Sequence, residues 1–200
     1  PCSIRRLYMK STYKITVFEV VLVAVLSVVI GVAFWGWTFV YEIASPILKP
    51  VGMKYLFAGF WLFTGIFLPF IVRKPGVAVI ASVISSLIEG FITRWGLSAV
   101  LWGFVQGLAA EIIFLIYGYK NWKITVLILA SLFSAIASYA LDFFNEAYYN
   151  LSIGFNLLQL GSFLLSSIIF AAILSYIIGK ALAKTGVLNQ FEIAKDFNSK

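Results

Sequence analysis

Three polar side chains stand inside long apolar runs of this 200-residue chain: Glu89, Gln106 and Glu111. A carboxylate held in the middle of a membrane helix costs roughly 2.5–3.5 kcal/mol on insertion scales, so it calls for a partner, a cavity or a ligand. Each belongs to a stripe at helical spacing, where residues i, i+3, i+4 and i+7 share one face. Ser82, Ser85, Ser86 and Glu89 form one such stripe, with Thr93 a turn further on. Ser131, Ser134, Ser138, Asp142 and Asn145 form a second, and Asn156, Gln159, Ser162 and Ser166 a third. Trp102, Gly103, Gln106, Gly107 and Ala110 make a small-and-polar face, with Glu111 at its edge, about 7.5 Å deeper than Gln106 at the helical rise.

The serines and glycines read as packing faces, because small residues let membrane helices approach closely. Glu89, Gln106 and Asn145 are too large for that purpose and are read as lining a site. Glu111 divides between ligand contact and a structural hydrogen bond, and Asp142 between the site and outer water. Glu19 reads as interfacial. Trp35, Trp37, Trp95, Tyr148 and Tyr149 have the positions of an interfacial aromatic belt. Aromatic faces beside carboxylates also suit a cation, so Trp95 and Tyr149 are kept as ligand candidates, with Trp102 the best placed for stacking.

The chain has no histidine and a single cysteine, Cys2. Carboxylates alone are weak evidence for a transition metal, and no metal site is expected. A serine nucleophile would need a base, and none is read inside the spans. No phosphate loop of Walker type occurs. No catalytic residue and no cofactor of the chain's own is therefore expected, and any ATP would be bound by another subunit.

These residues must be positioned by membrane helices. The composition is 62% hydrophobic and 12% charged, with a mean hydropathy of +1.00. That is the signature of an all-α polytopic membrane protein rather than a soluble domain. Six segments are long enough to be read as spans in one bundle: Ile15–Trp37, Tyr55–Val72, Gly76–Ile92, Leu97–Tyr117, Ile124–Phe144 and Phe155–Ala183. With both termini cytoplasmic, and leaving out Arg5 and Arg6 near the start of the chain, the inside holds ten basic residues: Lys10, Lys14, Arg73, Lys74, Lys120, Lys123, Lys180, Lys184, Lys195 and Lys200. The outside holds three: Lys49, Lys54 and Arg94. The positive-inside rule favours this arrangement. Three outer loops follow: a long Thr38–Lys54, a tight Thr93–Gly96 and an aromatic Asn145–Gly154. The net charge of +7 sits in short clusters between apolar segments and does not indicate nucleic acid. Pro1–Tyr8 is read as an expression remnant and Met9 as the natural start, which leaves residues 9–200 as one six-helix transmembrane substrate-binding domain.

The run Arg73-Lys74-Pro75-Gly76, Glu89, Trp95-Gly96-Leu97-Ser98, Trp102-Gly103, Gln106-Gly107 and Ala110-Glu111 resembles YkoE-type S components. These are substrate-binding membrane subunits of energy-coupling-factor vitamin importers. The resemblance runs from the first segment through Asp142, while the sixth segment matches only in character. It implies a six-helix fold in a prokaryotic cell membrane, with a pocket near the outer face capped by loops. The implied cargo is thiamine or its hydroxymethylpyrimidine precursor. The implied partners are a transmembrane coupling subunit and cytoplasmic ATPases. Docking through small residues on the first helix is also implied, and Ser27-x-x-x-Gly31, with Ala24 and Ala33 nearby, is the nearest equivalent of the family's Ala-x-x-x-Ala. The positive thiazolium of thiamine suits the carboxylates better than the neutral pyrimidine does, which ranks thiamine first. A self-sufficient ion-coupled carrier or a membrane-embedded enzyme is the alternative class. A carrier often shows inverted repeats, and none is visible.

Overall fold

The computed structural model describes residues 15–198. Pro1–Tyr8 with Cys2, the proposed start at Met9, and Lys10, Lys14 and Lys200 lie outside the described residues. No strand occurs among the described residues. Helix α1 spans Val17–Leu48. A 3₁₀ helix, Lys54–Leu62, runs into α2, Phe63–Val72. Then come α3 (Val77–Ile92), α4 (Ser98–Ile116) and α5 (Ile124–Asn145). After a 3₁₀ turn at Tyr148–Asn150, α6 (Ile153–Ser166) passes through a π-helical stretch, Ser167–Ile173, into α7 (Leu174–Lys184). A short α8, Glu192–Asn198, closes the described chain.

The core element is α2. Its ten residues carry no charge and are all buried, as expected of a helix that is apolar all round and enclosed by neighbours. The 3₁₀ helix before it packs on the start of the π-helical stretch. Gly59 N–H donates to Ser166 Oγ at 2.8 Å, and a Cβ at Gly59 would overlap the Ser166–Ser167 backbone.

The first helix is longer than expected. Its start is fixed by a capping box in which Glu19 N–H donates to Thr16 Oγ1 and Thr16 N–H donates to Glu19 Oε2 at 2.7 Å. It continues for 32 residues, about 48 Å of rise. The expected outer loop from Thr38 to Lys54 is therefore helical up to Leu48. The polar residues taken as a loop signal instead extend the buried stripe: Phe34, Thr38, Tyr41 and Ser45 all face the bundle. Pro46 sits in the last turn, where the helix ends regardless.

Among the described residues five helical runs are long and apolar enough to cross a membrane: Val17–Leu48, Lys54–Val72, Ser98–Ile116, Ile124–Asn145 and Ile153–Lys184. Val77–Ile92, at 16 residues, is shorter than the roughly 20 a straight crossing needs. The all-helical expectation holds, and of the six expected spans five are full-length runs, while the sixth, Val77–Ile92, is a shorter apolar helix. The short helix is held tightly. A Cβ at Gly103 would run into Ser86 of α3, and one at Gly107 would lie 2.8 Å from the Ala78 carbonyl. The serine stripe of α3 thus packs closely on its neighbours, Ser85 Oγ donating back to Ala81 O at 3.0 Å, and Ser82 and Ser86 also reach a cavity at one end of the bundle.

The same close packing corrects the docking expectation. Ser27 is fully buried, and a Cβ at Gly31 would meet the Ser85 carbonyl at 2.7 Å and Ile88 Cβ at 2.9 Å. Ser27 and Gly31 are spent on the internal α1–α3 contact. The face of α1 that stays exposed is Val25, Val28, Val29, Val32 and their neighbours.

Candidate functional site

One end of the bundle opens into a cavity of about 660 Å³, a size that suits a small-molecule ligand. Helix α1 contributes Phe34, Tyr41, Ser45 and Lys49 to its wall, at helical spacing. The 3₁₀ helix contributes Tyr55, Ala58 and Trp61, which are three residues apart and eclipse one another at three residues per turn, with Lys54 beside them. Helix α3 supplies Ser82, Ser86 and Glu89, and α4 supplies Trp102, Gly103 and Gln106. Helix α5 adds Ser138, Asp142 and Asn145, and the α3–α4 turn adds Arg94 and Trp95.

Two carboxylates in this wall are each held by an indole. Glu89 is 3% exposed, and its Oε1 accepts from Trp61 Nε1 at 2.6 Å and from Thr38 Oγ1 at 3.4 Å. Asp142 Oδ1 accepts from Trp102 Nε1 at 2.7 Å, and its Oδ2 accepts from the Tyr55 hydroxyl at 2.8 Å. Asp142 thus faces the cavity rather than outer water. Gln106 Nε2 donates to Ser138 Oγ at 2.7 Å and fixes the side-chain amide, while Ser134 Oγ donates to the backbone carbonyl of Gln106 at 2.9 Å. Interhelical bonds of this kind join α4 to α5. At the mouth Arg94 pairs with Glu42 at 3.2 Å and lies 5.0 Å from the Trp95 ring centroid.

Two expected ligand contacts lie elsewhere. Glu111 is at the opposite end of the bundle. Its Oε1 accepts from Gly76 N–H at 2.6 Å and from the Tyr119 hydroxyl at 2.5 Å, and its Oε2 accepts from Ala78 N–H at 3.0 Å. It caps the free N–H groups that open α3, so the structural half of its two readings holds. Burial, reinforced by the bond to Glu111, pushes the Tyr119 phenol above its ordinary range. Tyr149 is 59% exposed and outside the cavity wall. Its neighbour Tyr148 is buried instead, because Asn156 Nδ2 donates to the Tyr148 carbonyl at 2.9 Å and pins the turn.

Sequence reasoning missed Thr38, Tyr41, Lys54, Tyr55, Trp61 and Tyr148. Thr38, Tyr41 and Ser45 carried a usable signal, since their spacing continues the buried stripe of α1. Tyr55 and Trp61 did not, because their three-residue period is lost when the segment is read at 3.6 residues per turn. Lys54, read from the sequence as an outer-loop residue just before the second span, instead opens the Lys54–Val72 run and stands in the wall.

Fold and cavity together define a multi-pass helical membrane protein with a ligand-sized chamber at one end of its bundle. Comparison with known proteins sharpens the class. Residues 18–137 match the family model described as ABC-type cobalt transport system, permease component. The chain is 31% identical over 183 residues to the HMP/thiamine permease protein YkoE of Bacillus subtilis (strain 168), covering 91% of this chain and 92% of that one. It superimposes on the crystal structure of an S-component of an ECF transporter with a TM-score of 0.87 and 30% identity, over 92% of this chain and 94% of the other. The chain belongs to the S components of energy-coupling-factor transporters, which are transport subunits and not enzymes.

Proposed function

We propose that this chain is the substrate-binding subunit of an ATP-driven vitamin importer. Its cavity opens to the outer face and holds an aminopyrimidine vitamin, with thiamine as the cargo. It hands the cargo on through a transmembrane coupling subunit driven by cytoplasmic ATPases, and both of its termini are cytoplasmic. The observation that carries this reading is the pair of indole-held carboxylates, Glu89 with Trp61 and Asp142 with Trp102, in the wall of one cavity. Glu89 accepts hydrogen bonds from the amino group or faces the positive ring. Trp102 stacks, Gln106 and Asn145 fix orientation, and Trp95 closes the mouth. The printed name of the YkoE relative, an HMP/thiamine permease, supports the same substrate class. The ten-to-three distribution of basic residues supports the orientation.

Binding of thiamine to the purified chain without nucleotide or an ion gradient, together with uptake that requires ATPase subunits, is the expected result. Uptake by the chain alone, driven by an ion gradient, would replace this reading with that of a self-sufficient carrier. A second reading, hydroxymethylpyrimidine as the main cargo, is favoured by one observation: Lys54 places a positive charge in the same wall.

A further inference from the structure

Three cationic side chains reach the cavity wall: Lys49, Lys54 and Arg94. Arg94 is answered by Glu42 at the exposed mouth. Lys54 is placed differently. It is half-buried, and its Nζ donates to the Tyr148 hydroxyl at 2.7 Å. It stands 5.1 Å from the ring centroid of Tyr55 and 5.4 Å from that of Tyr148. Among the described residues no carboxylate lies within ion-pairing distance of it. The Tyr148 and Tyr55 hydroxyls are 3.1 Å apart, and Tyr55 donates to Asp142. A phenol has one proton. With that of Tyr55 committed to the carboxylate, that of Tyr148 closes the link, and a relay runs from ammonium to carboxylate.

This relay has a consequence for selectivity. The aromatic corner that a ligand's cationic ring would seek is already filled by the protein's own ammonium. Asp142 is balanced by that charge through two hydroxyls, and Glu146, the third carboxylate of the wall, also lies within its electrostatic reach, whereas Glu89 is held by Trp61 and Thr38 with no cation linked to it. Building on the aminopyrimidine reading, we propose that Lys54 is the charge-selectivity residue of the cavity. It raises neutral aminopyrimidines, and those that carry a phosphate ester, relative to the bare thiazolium cation.

The test is isothermal titration of hydroxymethylpyrimidine, thiamine and thiamine monophosphate against wild type, Lys54→Gln and Tyr148→Phe. Charges in one cavity interact strongly enough that Lys54→Gln should shift the ratios by roughly tenfold. Thiamine gains on the neutral pyrimidine, and thiamine monophosphate falls against thiamine. Tyr148→Phe breaks the bond but keeps the charge, so it moves all three ligands alike. Equal changes for all three in Lys54→Gln overturn the proposal and leave Lys54 a structural tether. If Lys54→Gln is recovered unfolded, wild type decides: monophosphate binding more than about tenfold weaker than thiamine overturns the proposal. Wild type that binds none of the three removes the aminopyrimidine reading itself, and this inference with it.

Discussion

The two ends of the bundle treat a carboxylate withdrawn from solvent, buried at Glu89 and half-buried at Asp142 and Glu111, in opposite ways. At the end opposite the cavity Glu111 is consumed by structure: two backbone N–H groups and a phenol point at it. At the cavity end Glu89 and Asp142 are held by side chains, mainly indoles, and remain in the wall of an open chamber. Backbone donors at a helix start mark a carboxylate that completes a fold, because those N–H groups have no other partner. Side-chain donors around a cavity mark one that is aimed. The residue type and the apolar context are alike in both places, and the donors distinguish them.

The sharpest way to break this comparison is to remove the carboxylate far from the cavity. Glu111→Ala leaves the Gly76 and Ala78 N–H groups without a partner, at about 1–3 kcal/mol each. The expected outcome is a large fall in thermal stability in detergent with ligand affinity of the surviving folded protein unchanged. A loss of affinity without a loss of stability would place Glu111 with the cavity group after all. Gly31→Leu comes next. It forces bulk against the Ser85 carbonyl and Ile88, and overpacking of this kind costs about 1–3 kcal/mol or more. Lower yield of monodisperse protein is expected, read by size-exclusion chromatography. A well-folded Gly31→Leu that merely fails to assemble with a coupling subunit would restore the docking role of that face.

The helical class, most span boundaries and the stripe carrying Glu89 were legible in the sequence because period 3.6 and hydropathy are local properties. The α3 segment was placed to within a residue, Gly76–Ile92 against Val77–Ile92. The role of Glu111 was not legible, since its two backbone donors come from the start of α3, 35 and 33 residues away. The exchange of Tyr149 for Tyr148 has the same origin: Asn156 decides which ring turns inward. The Trp61 contact needed the 3₁₀ period, and Lys54 looked like a topology signal rather than a wall residue.

Two smaller effects sharpen the contrast. Trp102→Phe keeps the ring and removes the donor to Asp142, so affinity should fall by roughly three- to tenfold, the worth of about 1 kcal/mol for one hydrogen bond. Titration of thiamine checks it, and an unchanged affinity would make Trp102 a packing residue. Asp196→Asn weakens the pair with Arg73 at the end opposite the cavity, which lies at 2.5 Å but leaves Asp196 51% exposed. Exposed pairs contribute about 0–1 kcal/mol, so the melting temperature should barely move. A large drop would show that α8 is held chiefly by charge rather than by the buried Phe191, Ile193 and Ala194.

The most direct measurement is the titration of Glu89→Gln with thiamine and with hydroxymethylpyrimidine beside wild type. The substitution keeps the shape and removes the charge. A charge-assisted hydrogen bond contributes about 1.5–3 kcal/mol, so thiamine should lose roughly 10- to 150-fold in affinity, and the neutral pyrimidine clearly less. Unchanged affinity for both ligands would contradict a ligand-facing Glu89 and class it with Glu111 as part of the scaffold.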